Sequence, residues 1–138
     1  RSVMYSGRKG FDYDFSECHS LAPAMAVFAC SLKGESVLRN IGRKSMNNIS
    51  AMVNGAGGCA YIDGDDLRIK GRKSLPGGSV DSCGDPEIVY AAMILSTICR
   101  GRLTIANADC AKKYCPEFFE AFRDLGGTME YGTGQNRH

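Results

Sequence analysis

The sequence predicts an α/β (α+β) chain: a unit of buried helix, short strand and more polar helix, present twice. Three observations carry this reading. Two small-residue-rich apolar runs, residues 21–34 and 88–101, are spaced 67 residues apart, and each ends in a basic residue and a glycine, Lys33-Gly34 and Arg100-Gly101. A short β-like stretch follows each and closes on an asparagine, Asn40 or Asn107, again 67 residues apart. Leu67 and Ile69 alternate with Arg68 and Lys70, the period of a strand with one wet face. Self-similarity at a long fixed spacing marks a duplicated supersecondary unit. The units are bounded at about residues 10–71 and 79–131 of one domain spanning 1–138.

Each unit opens with a helix apolar nearly all round, which needs burial on most sides. Its end is assigned to Gly34 or Gly101, the expected residue just past a helix. Ser20 is expected to cap the first helix, and Asp85-Pro86 is a strong opening for its counterpart. More polar helices are read over roughly 46–53 and 116–125; in the latter Phe118, Phe119, Phe122 and Leu125 form the apolar stripe. Strands are read over 59–63 and 66–70 about the turn Gly64-Asp65. A loop over 72–78 leads to Ser79-Val80-Asp81, the first strand of the second unit.

Composition narrows the function classes. The 138 residues suffice for a real core, and a net charge of +2 is too balanced to argue for nucleic acid or a membrane surface. No apolar run has transmembrane length and the start, Arg1-Ser2-Val3-Met4, has no apolar signal core, so a cytoplasmic location is expected. The seven cysteines are dispersed without a Cys-x-x-Cys pair, the pattern of small buried hydrophobes in a reducing compartment. A zinc set from Cys18, His19, Cys110 and Cys115 has the wrong spacings. No metal or organic cofactor is expected.

The stretch Asp85-Pro86-Glu87-Ile88, the run Lys113-Tyr114-Cys115-Pro116 and the closing Leu125-Gly126-Gly127 together resemble the C-terminal end of an EPSP synthase (3-phosphoshikimate 1-carboxyvinyltransferase), in the enolpyruvyl transferase superfamily. The resemblance covers about residues 11–131 and implies repeated β-α-β-α-β-β units with buried helices and outer sheets, forming the final third of a two-domain enzyme whose cleft lies between the domains. It implies transfer of the enolpyruvyl group of phosphoenolpyruvate to shikimate 3-phosphate, in aromatic amino acid biosynthesis. That chemistry needs cations for phosphates and a carboxylate, a base for the hydroxyl proton and an acid for the methylene carbon.

Carried over residue by residue, the motifs are depleted. The base position of the family falls on Ser20, which needs an activating neighbour such as His19. The Lys-Glu-[Ser/Thr]-Asp-Arg segment becomes Lys44-Ser45-Met46-Asn47-Asn48, keeping the lysine but losing the glutamate and the arginine. Arg43 is either a replacement cation or part of a solvated turn. Asp-His-Arg becomes Asp85-Pro86-Glu87, a charge reversal where an anionic substrate should bind. Lys113 and Pro116 keep the fourth motif. The resemblance therefore leaves Lys44, Lys113, Asp85 and Arg43 as substrate-binding candidates and no confident catalytic group beyond Ser20 at the base position. Such a chain is an EPSP synthase-like protein inactive on its own, or a non-catalytic binding or interaction module on the same scaffold. Its expected partners are a phosphorylated or carboxylate small molecule and either a missing partner domain or a second copy.

Overall fold

The computed structural model describes residues 9–112 together with Glu117 and Glu120. The elements run β1 (Asp12–Asp14), a 3-10 turn (His19–Leu21), α1 (Ala22–Cys30), β2 (Glu35–Arg39), α2 (Arg43–Gly55), β3 (Cys59–Asp63), β4 (Asp66–Lys70), β5 (Gly78–Asp81), α3 (Pro86–Ser96), β6 (Leu103–Ala106) and α4 (Asp109–Lys112). The first six regular elements are the expected β-α-β-α-β-β unit, and β5-α3-β6 repeats its opening.

One sheet has the order β1-β2-β4-β3, with β1 parallel to β2 and the remaining pairs antiparallel. The other holds the parallel pair β5-β6. The repeat is registered to the residue: Asp12 pairs with Val37 as Ser79 pairs with Thr104. α1 and α3 pack on each other and on α2. Ala22, Ala26, Val27 and Ala29 of α1 and Ile88, Val89, Ala92 and Leu95 of α3 are buried. Small residues let these two backbones approach, which is why the runs are rich in alanine. α2 is amphipathic, burying Met46, Ile49, Met52 and Val53. From β4, Leu67 and Ile69 enter the same core, fully buried.

The opposite face of the larger sheet is charged and wet. Arg39 bridges Asp12 and Asp66 at 2.6 and 2.9 Å, and Arg68 bridges Asp63 and Glu35 at 2.9 and 3.2 Å. Tyr61 donates to Glu35 at 2.6 Å. These pairs are half-exposed and each is worth little, but together they satisfy the charged groups of that face.

A paired device recurs at the strand ends. Asn40 and Asn107 both adopt a left-handed conformation, with φ of 59° and 58°. Asparagine tolerates it because its side chain can bond locally. Asn40 donates to Asp14 at 3.0 Å and Asn107 to Asp81 at 2.8 Å. Each aspartate also accepts a backbone N–H two residues on, from Ser16 or Cys83, at 2.8 Å in both cases. The Asn107 amide, then the Cys83 N–H, hold the Asp81 carboxyl below its usual range. A lowered folded-state pKa stabilises fully above the unfolded value of about 3.9 and is lost as pH falls through the folded one. Asp81→Asn is therefore expected to melt below the parent at pH 7, with the gap closing at pH 2 to 3. Thermal melts across that range check it.

Several boundaries differ from the sequence expectation. α1 and α3 stop at Cys30 and Ser96, short of Gly34 and Gly101. Hydroxyls end them: Ser31 donates to the Phe28 carbonyl at 2.8 Å and Thr97 to that of Ile94 at 2.6 Å. Gly34, at φ +85°, instead turns the chain into β2. At Gly101 a Cβ would come within 2.5 Å of the Pro76 carbonyl oxygen. Ser20 does not cap α1; it lies inside the 3-10 turn, and α1 begins from Leu21 without a side-chain cap. The position that holds the capping Asp85 in the second unit is Cys18 in the first, so the first turn tightens instead of being capped. α2 starts three residues earlier than expected, at Arg43. The helix read over 116–125 lies outside the described residues apart from Glu117 and Glu120, both helical, and α4 was not anticipated.

Cys30 is buried and its thiol is pushed up to about 12 by that burial, with Cys99 adding to it. Among the described residues no three His, Cys, Asp or Glu side chains gather as a metal site, and no helix is long and apolar enough to cross a membrane.

Candidate functional site

The carboxyl ends of the parallel strands and the amino ends of α1, α2 and α3 lie at one end of the fold. In sheets with parallel strands this is where ligands bind, because loops diverge there and helix amino ends point their free N–H groups outward. Four of the five sequence candidates, Ser20, Arg43, Lys44 and Asp85, are at this end. Lys113 lies outside the described residues.

Ser20 and Arg43 line two different cavities, and Lys44 and Asp85 line neither of them. A groove of about 200 Å³ between α1 and α3 is lined by Ser20, Pro23, Ala24, Glu87, Tyr90, Ala91 and Ile94. It joins Ser20 to Glu87, one unit's helix opening facing the other's. Burial raises the Glu87 carboxyl above its usual range, and Asp85 beside it adds to the rise. Asp85 is committed to structure: its carboxylate accepts the Glu87 N–H at 3.0 Å and caps α3.

The second cavity, about 480 Å³, opens at the start of α2 and is lined by Ser16, His19, Asn40, Gly42, Arg43, Met46 and Asp65. Gly42, at φ +88°, precedes α2 and supplies no side-chain cap, and no acidic residue sits in the first turn. That turn carries Arg43 and Lys44, both exposed, where a negative charge is the favourable partner. Asn48, on the next turn, keeps a buried amide nitrogen without a hydrogen-bond partner.

His19 and Ser20 therefore serve different cavities, and no hydrogen bond joins them. Adjacent residues in a 3-10 turn point about 120° apart. The idea that His19 activates Ser20 finds no support in this geometry. Sequence reading missed Asp65, Ser16 and Asn40 as neighbours of Arg43. Asn40 carried a signal, its match to Asn107; Asp65 carried only its turn, Gly64-Asp65.

The fold is that of an enolpyruvyl transferase. The crystal structure of NikO from Streptomyces tendae superposes with a TM-score of 0.64 at 17% identity, over 86% of this chain and 28% of that one. The sequence pattern of the family described as EPSP synthase (3-phosphoshikimate 1-carboxyvinyltransferase) matches residues 1–122, and the chain belongs to that family. The 3-phosphoshikimate 1-carboxyvinyltransferase of Clostridium perfringens is 34% identical over 135 residues, covering 94% of this chain and 32% of the relative. That of Dehalococcoides mccartyi is 34% identical over 125 residues, covering 87% and 30%. The chain thus spans about a third of the length of the curated relatives it matches.

Proposed function

We propose that this chain is one part of a two-domain EPSP synthase-like protein that binds a phosphorylated or carboxylate small molecule without running the family's proton transfers. The observation that carries the reading is the groove between α1 and α3. At the positions where the family resemblance calls for a carboxylate base and an anion-binding arginine, this groove holds Ser20 and Glu87. A serine hydroxyl is not itself a base at neutral pH, and a carboxylate at the arginine position repels phosphate and carboxylate alike. The cations that remain, Arg43 and Lys44, open α2, with Lys113 as a third candidate. The anion is held there, and among the described residues the family's base and anion-binding arginine are not at their positions in the groove.

Calorimetric titration with inorganic phosphate, phosphoenolpyruvate and shikimate 3-phosphate tests the reading. Glu87→Arg is expected to tighten phosphoenolpyruvate binding about ten- to a hundredfold, since reversing a charge pair near a half-wet surface is worth about 1–4 kcal/mol. Arg43→Gln is expected to weaken phosphate binding. Unchanged affinity in Glu87→Arg would remove the groove from the account. The second reading, a binding module for another protein, is favoured by the exposed apolar side chains Leu21, Phe28 and Ile94 on α1, its entry turn and α3.

A further inference from the structure

The two repeats provide an internal control for the cavity at α2. Its structural frame is shared: Asn40 has its counterpart in Asn107, with the same conformation and the same aspartate bond. Its ionisable groups are not. The positions 67 residues beyond His19, Gly42 and Arg43 hold Pro86, Asp109 and Cys110. In the second unit the acidic group at the helix opening, Asp109, comes from the chain itself. In the first unit that place is Gly42, and the cavity beside it carries Arg43 and His19. What the fold requires is therefore present in both units, and the ionisable groups differ between them.

The charges of the first unit's cavity are of both signs. Asp65, from the β3–β4 turn, lines the same cavity as Arg43. Among the described residues neither side chain makes an ion pair or a hydrogen bond, with each other or with anything else. Opposite charges that line one cavity of about 480 Å³ without meeting across it leave room for a ligand between them. We infer that this cavity binds a small zwitterion, its anionic group held by Arg43 and the opening turn of α2 and its ammonium group by Asp65. The inference deepens the proposed function, and rests on its reading that Arg43 receives an anion.

The test is calorimetric titration of the full 138-residue chain with O-phosphoethanolamine, inorganic phosphate and ethanolamine. Phosphoethanolamine is expected to bind at least about tenfold more tightly than phosphate, a difference of about 1.4 kcal/mol. Asp65→Asn is expected to bring it down to the phosphate level while leaving phosphate unchanged. Arg43→Gln is expected to abolish both. Both residues are exposed, so melting temperatures of the variants should match the parent and keep folding out of the comparison. Equal binding of phosphate and phosphoethanolamine, insensitive to Asp65→Asn, would overturn the zwitterion and leave a plain anion site. Absence of binding by either would overturn both this inference and the anion reading of Arg43.

Discussion

Replacing Gly71 by alanine is expected to remove a large part of the fold's stability. Gly71 follows β4, where the chain passes against the end of α1. Its N–H donates to the Gly34 carbonyl at 2.8 Å, and the next N–H, of Arg72, reaches the Cys30 carbonyl at 3.0 Å. A Cβ at Gly71 would overlap the Leu32 carbonyl oxygen and lie 2.6 Å from its carbon. Those are backbone atoms, so no rotamer change relieves the clash. Either β4 leaves its place between β2 and β3 or the turn after α1 rebuilds, and both break buried structure. Steric conflicts of this kind belong to the tail of mutational effects, about 4 kcal/mol or more, against a total stability of about 5–15 kcal/mol. Circular dichroism and a denaturant titration read the result. A Gly71→Ala chain that melts within a few degrees of the parent would show that this crossing is not a constraint.

The second large effect is expected at Leu38. It sits in β2, inside the four-stranded sheet, paired with Tyr13 on one side and Leu67 on the other. It is fully buried. Leu38→Ala removes transferred surface and leaves a cavity that a sheet interior closes poorly, costing about 3 kcal/mol. For a chain of this size that is a drop of about 10 °C in melting temperature. An unchanged denaturation midpoint would mean that the core at this layer is loosely packed.

How much of this was legible in the sequence depends on the range of the interaction. The repeat was, because it rests on patterns within one element: an apolar run, a basic-glycine ending, an alternating strand. Strand bounds 59–63 and 66–70 match the structure because their alternation fixes both ends. Helix ends were less legible, since Ser31 and Thr97 compete with the glycines that follow. The missing cap at Ser20 accompanies a difference between the units: Cys18, without a capping bond, stands where the second unit has the capping Asp85. The grouping of the site was least legible. Arg43, His19 and Asp65 come from the start of α2, the 3-10 turn and a hairpin, and only the packing of α2 against the sheet brings them to one cavity. The separation of His19 from Ser20 depends on the pitch of a turn that the sequence reading took for the start of an α-helix.

The most direct test of the central claim, a retained scaffold with the proton-transfer groups replaced, is a chimera. The final third of the Clostridium perfringens 3-phosphoshikimate 1-carboxyvinyltransferase is exchanged for this chain, and phosphate release from phosphoenolpyruvate and shikimate 3-phosphate is followed by phosphorus NMR. Circular dichroism establishes that the chimera is folded. The account predicts no release above the rate without protein, because Ser20 and Glu87 stand in the groove. Sustained release by the folded chimera would contradict it and would mean that other residues of this chain supply the base and the cation.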